Sequence, residues 1–154
     1  MKLLRYGPQG LEKPGLLDAS GQIRDLSGHI RDLTPEHLSP AGLAKLKAID
    51  ASALPIVASP VRLGVPVAGV RKFPAIGLNF ADHAAEAGLA APSEPIIFHK
   101  AVSCLSGPHD EVMLPRDAVK ADWEVVLGVV IGRTARYVDQ DKALDYVAGY
   151  VVVN

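Results

Sequence analysis

A chain of 154 residues that is 49% apolar and 21% charged can bury a core and lacks the charge-rich, apolar-poor makeup of a disordered polypeptide. Sixteen Lys and Arg nearly balance seventeen Asp and Glu, for a formal net charge of -1, and no basic block or acidic tail stands out. That balance argues against a nucleic-acid partner and leaves a small-molecule site as the place to look.

Two further readings concern location. No stretch approaches the roughly 18 apolar residues of a membrane span, and no signal-peptide run follows "MKLLRYGPQG". The single cysteine, Cys104, can form no disulfide within the chain and has no CxxC partner for zinc. A cytoplasmic protein without a membrane partner is expected, with Cys104 a small buried apolar residue.

In chain order, "MKLLRY" reads as a strand, "GPQGLEKPG" as a turn-rich connection, and "LLDASGQIRDLS" as a hairpin of two short apolar runs about Ala-Ser-Gly-Gln. From Asp32 to Asp50 two helix starts stand out, Thr34-Pro35 and Ser39-Pro40, each a capping residue followed by Pro at the first helical position. Leu38, Leu43 and Leu46 are placed to line one helical face. Between Ala53 and Ala68 three prolines among β-branched residues favour extended or edge segments, and a module boundary is expected there.

Beyond it, "KFPAIGLN" reads as a strand, "HAAEAGL" as a helical turn closing at Gly88, "EPIIFHK" as a strand, and "SGPHDEVMLP" as a loop. Val125, Val126, Leu127, Val129, Val130 and Ile131 form a nearly continuous apolar run, which predicts a strand buried on both faces. "DQDKALDYVAGYVVVN" predicts a short helix with an acidic first turn and then a strand. An apolar strand with no following turn is an aggregation template unless something covers it, so a missing segment is expected.

Three groups of residues could carry chemistry. In "GLNFADHAAEAG", Asp82, His83 and Glu86 lie close together, and on a helix His83 and Glu86 share a face, where the carboxylate can orient the imidazole and the pair can activate water. The same stretch also reads as an ordinary helix start, with Asp82 as cap and Glu86 answering the dipole. Lys100 emerges where the strand "PIIFH" gives way to a loop, as a substrate contact or a solvated lysine, with His99 on the opposite strand face. Asp122 and Glu124 stand ahead of the apolar run, where strand alternation would put both carboxylates on one side. Hard oxygen donors suit Mg, Ca or Mn, though a solvated strand start is equally natural.

Taken in series, "GLNFADHAAEAG", "PIIFHKAVSCLSGP", "DWEVVLGVVIG" and "ALDYVAGYVVVN" resemble the fumarylacetoacetate hydrolase family over about Phe73 to Asn154. The resemblance implies an α+β protein: a small N-terminal α/β domain over residues 1–66, similar to members described as diketo sugar-acid hydrolases or ureidoglycolate lyases, then an incomplete mixed β-roll over 67–154. It implies a homodimer that hydrolyses or cleaves a C–C bond of a small 2-oxo acid or 1,3-dicarbonyl compound with Mg or Mn. His83 and Glu86 match the family's acid/base pair, Lys100 its substrate-contacting lysine, and Asn79 a substrate contact.

The metal ligands carry over incompletely. Glu124 matches the first, with Asp82 and Asp122 of second rank. The second ligand position holds Val126, and the third falls just after Asn154. Weak or no specific Mg or Mn binding is therefore expected, from a truncated or degenerate relative with little activity of its own. The alternative is a non-catalytic module acting through dimerisation or partner binding.

Overall fold

The N-terminal strands pair as a meander. In the computed structural model, which describes all residues Met1–Asn154, β1 (Lys2–Tyr6), β2 (Lys13–Leu17) and β3 (Ile23–Asp25) form an antiparallel sheet in the order β1-β2-β3. Lys2 faces Leu17 and Tyr6 faces Lys13, so Lys13, Pro14 and Gly15, expected in the connecting turn, are strand residues instead. Pro14 is tolerated because a strand needs a donor only where a partner accepts, and here the sheet closes around a buried Pro ring.

Both edges of this sheet are covered by the proline-rich segment. Leu63 bridges to Tyr6 along β1 and Ile56 bridges to Arg24 along β3. The extended character expected of residues 53–68 is thus used to satisfy edge backbone groups, as in the Gly64 N–H donating to the Arg5 carbonyl at 2.9 Å.

After the sheet come α1 (Pro35–Leu38) and α2 (Pro40–Lys47), which start at the two expected Pro positions. Ser39 caps α2 by accepting from the Gly42 N–H at 3.1 Å, whereas Thr34 makes no side-chain cap and bonds His37 instead. Leu38 and Leu46 are buried and Leu43 is half-buried, so the expected apolar face forms. The core centres on Leu16, Leu26 and Leu54, packed by Leu3, Ile30 and Ile49.

The chain divides into two compact units, one made of Met1–Gly69 with Ser106–Asn154 and the other of Val70–Leu105. In the first, the later segment contributes an antiparallel ribbon of β6 (Val126–Ile131) and β7 (Val147–Val153), preceded by a 3-10 helix at Gln140–Tyr146 where a short α-helix was expected. The burial of β6 corrects the expectation of a strand covered on both sides. Val126, Gly128 and Val130 are half-buried, and Leu127, Val129 and Ile131 are exposed. A two-stranded ribbon has only one partner layer to offer, so one face stays bare.

The second unit holds β4 (Pro74–Gly77) and β5 (Ile96–His99), paired antiparallel, with α3 (Ala81–Glu86) between them in sequence and a short 3-10 turn at Val102–Cys104. Its one buried residue is Ala84, every residue of β5 is exposed, and Cys104, expected to be buried, is exposed as well, because this small unit has almost no interior to hold it.

Candidate functional site

The stretch "GLNFADHAAEAG" folds as a strand end, a tight turn and one short helix. Gly77 closes β4, Leu78 takes a left-handed φ of 50°, and α3 begins at Ala81 with Phe80 as its N-cap. A bulky residue at positive φ costs on the order of 1–3 kcal/mol and persists only where its surroundings impose it. The turn before the helix is therefore held in a costly shape. Sequence reading had no signal for it, because the neighbouring Asn79 is the residue type that favours this conformation and Leu78 is not.

Asp82 is not the cap. It sits in the first turn, where its Oδ1 accepts from the His83 N–H at 2.9 Å and its charge favours the positive end of the helix. The helix ends as expected. Gly88, at φ 66°, follows the Ala87 C-cap, its N–H donates to the Ala85 carbonyl at 3.0 Å, and the Leu89 N–H reaches the Ala84 carbonyl at 2.9 Å. This is the Schellman arrangement, in which a glycine meets no Cβ penalty.

His83 and Glu86 stand three residues apart on α3, both exposed to solvent. That spacing puts them on neighbouring positions of one helical face. Asn79, also exposed, lies between β4 and α3. Lys100 leaves from the other end: its N–H donates to the Phe73 carbonyl at 2.9 Å, just before β4 begins, and its ammonium lies 5.9 Å from the Phe98 ring centre. Four paired positions, Pro74 with His99 through Gly77 with Ile96, separate the two exits. At about 3.4 Å per residue the backbones emerge on the order of 14 Å apart. Asn79, His83 and Glu86 thus follow the Gly77 end of β4 in sequence, and Lys100 leaves the ribbon at its other end.

In the other unit, Asp122 and Glu124 lie ahead of β6 rather than on it, both exposed. The strand alternation expected to align them does not begin until Val126. Asp122 turns its Oδ1 to the Trp123 N–H at 2.8 Å, and the Glu124 N–H donates to Asn154 Oδ1 at 2.9 Å. Nowhere in the chain do three or more His, Cys, Asp or Glu side chains gather as metal donors. With Val126 where the resemblance implies a second ligand, the residues present do not assemble a divalent-metal site by themselves. No step of the chemistry below is routed through one.

The polar feature that sequence reading missed lies elsewhere. Arg5 grips Asp32 with two hydrogen bonds of 2.6 and 2.9 Å, and Arg62 grips Asp110 with two of 2.7 Å. Between them the nearly buried Glu12 pairs with Arg62 at 3.0 Å and Arg5 at 3.5 Å. Burial pushes the Glu12 carboxyl up, but backbone and Arg62 hydrogen bonds, with the charges of Arg5 and Arg62, outweigh it and hold the group below its usual range. Asp110 is held low by its Arg62 hydrogen bonds and by the Gly107 N–H. A side chain at Gly107 would run into the Leu63 carbonyl, so the turn at 107–110 is pressed against the N-terminal segments. Apart from Arg5 and Glu12, seven residues apart, the partners are 27 to 50 residues apart and leave no local pattern to read.

Comparison with known proteins places this geometry. The sequence profile described as fumarylacetoacetate (FAA) hydrolase C-terminal matches residues 72–154. A relative from Burkholderia lata, provisionally named a hydrolase, is 60% identical over all 154 residues, which make up 55% of its length. The crystal structure of a protein from Mycobacterium smegmatis provisionally named HpcE superposes with a TM-score of 0.70 at 33% identity, over 96% of this chain and 53% of that one. A fumarylacetoacetate hydrolase from the psychrophile Exiguobacterium antarcticum gives 0.75 at 27% identity, over 99% of this chain and 54% of that one. The chain thus spans about half the length of the curated relatives it matches.

Proposed function

The chain belongs to the fumarylacetoacetate hydrolase family, and from that premise we propose that it carries the acid/base part of a hydrolase or lyase acting on a C–C bond of a small 2-oxo acid or 1,3-dicarbonyl compound. The observation that carries this reading is the placement of His83 and Glu86, at helical spacing of three, on α3 directly after the strained turn at Leu78 and within the matched residues. In this reading Glu86 orients the His83 imidazole and stabilises its charged form, and His83 takes a proton from the attacking water. Asn79 contacts the substrate beside the helix. Lys100, set along the ribbon, offers a cation to an anionic end of the substrate and to the enolate left by C–C scission.

Residues 1–66 form the small N-terminal domain in this proposal, and 67–154 the first part of a β-roll domain. A cytoplasmic homodimer is the form we carry forward; no helix is long and apolar enough to cross a membrane. The family's Mg or Mn would need Glu124 together with donors that this chain does not supply. Asn154, which the family pattern places just before the third ligand, lies against the Glu124 backbone, and this supports Glu124 as the ligand carried over.

The test is turnover of acylpyruvates and diketo sugar acids with added Mg or Mn, comparing the wild type with His83→Gln and Glu86→Gln. Loss of a general base is expected to lower turnover by at least about 100-fold. Turnover indifferent to both substitutions would remove the assignment. A second reading, a non-catalytic member acting through association, is favoured by Val126 and by the lack of three converging donors. No turnover by the wild type under any of these conditions puts that reading first.

A further inference from the structure

Met1–Gly69 and Ser106–Asn154 belong to one compact unit, although the chain leaves that unit after Gly69 and rejoins it only at Ser106. The strand pairings, the isolated bridges and the backbone hydrogen bonds between elements each stay before, within or after the intervening Val70–Leu105. The polar ties that cross it run from Arg62 to Asp110. Nε donates to Oδ1 at 2.7 Å and Nη2 to Oδ2 at 2.7 Å, the bidentate geometry in which a guanidinium holds a carboxylate most firmly.

Each half of this pair is fixed in its own segment before the two meet. The Gly7 N–H donates to the Arg62 carbonyl at 2.9 Å, and Arg62 Nη1 returns bonds of 3.0 Å to the Gly7 carbonyl and to Glu12, so the arginine is built into the edge of the N-terminal sheet. Asp110 accepts from the Gly107 N–H at 2.6 Å, and its own N–H donates to the Gly107 carbonyl at 3.2 Å. Little side-chain freedom is left to lose when the two groups pair, which is what makes an ion pair strong.

Packing across the same junction is incomplete. Gly132 approaches the Leu38 carbonyl closely, yet beside it a cavity of about 300 Å3, lined by Leu43, Lys47, Asp145 and Ala148 among others, lies between α2 and the start of β7. We propose that Arg62–Asp110 is a latch: closed, it holds the returning turn at 107–110 as part of the N-terminal frame, and open, it frees that turn while β1–β3 stays folded. The latch fixes where the chain bearing His83, Glu86 and Lys100 re-enters the frame. It rests on contacts inside one compact unit and not on the catalytic assignment, so its test does not depend on turnover.

The experiment is native-state amide exchange on the 154-residue chain and its variants. In the wild type the Gly107 and Asp110 amides are expected in the slow class of β1–β3. Arg62→Lys keeps the charge but loses the planar fork, since one ammonium cannot serve Gly7, Glu12 and both Asp110 oxygens at once. It is expected to speed exchange at Gly107 and Asp110 at least about tenfold and to leave β1–β3 unchanged. Asp110→Asn, the milder change in shape, is expected to act in the same direction, and the double variant to be no more than about twofold faster than the faster single one. Lys142→Gln, which breaks the exposed pair with Asp141 at 3.4 Å, is expected to change nothing at 107–110. Gly107 and Asp110 amides that already exchange fast in the wild type, or that ignore Arg62→Lys, would overturn the proposal. So would effects of the two substitutions that multiply, or protection lost in β1–β3 together with 107–110, which would make the pair part of the frame itself.

Discussion

The β1–β3 sheet and the β6–β7 ribbon belong to one compact unit, yet they are finished to different degrees. The first has both edges bridged by Ile56 and Leu63 and buries Leu4, Tyr6 and Leu16 against Leu26 and Leu54. The second has open edges and a face of Leu127, Val129, Tyr150 and Val152 in solvent. Strand propensity is high in both, and the apolar run is longer in the ribbon. What separates them is the supply of covering chain: the segment at residues 53–68 bridges along both edges of the first sheet, whereas no strand pairs with the outer edges of the second.

That comparison can be broken at its core. Leu26→Ala removes a fully buried side chain, and a loss of about 2–5 kcal/mol in urea unfolding is expected. A loss below 0.5 kcal/mol would mean that the N-terminal sheet is not the anchor of the unit.

The charged clasp comes next. Glu12 and Asp110 both have folded carboxyl groups held below their ordinary values of 4.5 and 3.8, so each contributes stability that is present above those values and is lost as pH falls through the lowered ones. Acid unfolding followed by circular dichroism is expected to steepen below about pH 4, and Glu12→Gln is expected to flatten that dependence. Equal slopes for wild type and variant would remove Glu12 from the account of acid stability.

Smaller effects sharpen the picture locally. Gly88→Ala forces a side chain into the left-handed region and is expected to cost the α3 turn about 1–2 kcal/mol, seen as faster amide exchange at Gly88 and Leu89. Ser39→Ala removes the α2 cap, with an expected loss of about 1 kcal/mol. Val129→Thr, on the bare face, is expected to stay within about 0.5 kcal/mol of wild type in the chain alone. A larger loss there would show that the face is already covered in solution.

Much of this was legible where one local rule decides the outcome. Ser39-Pro40 announced a capped helix and Gly88 a helix end, and the structure has both. Family membership was legible because several short motifs recur in order, and the profile match over residues 72–154 bears it out. The extent of burial was not legible. A run such as Val125 to Ile131 reads alike whether one or both faces find a partner, and the number of partner layers is not written in the run itself.

The site was legible by position more than by arrangement. His83 and Glu86 fall on one short helix, as their spacing predicts. The separation of Lys100 from them follows from the β4–β5 register, which is set by pairing across 20 or so residues. Asp122 and Glu124 were expected on a strand that starts only at Val126, because side-chain bonds to Trp123 and from Asn154 take over the backbone there. Leu78 at positive φ and the Arg5–Glu12–Arg62 chain of ion pairs left no local trace at all.

The most direct test of the contrast between a finished and an unfinished sheet is native-state amide exchange along the whole chain. The account predicts that the slowest amides lie in β1–β3 and in the segments bridged to them, near the global unfolding limit, and that β6–β7 amides exchange faster through local opening. Uniform protection across β1–β3 and β6–β7 would contradict it.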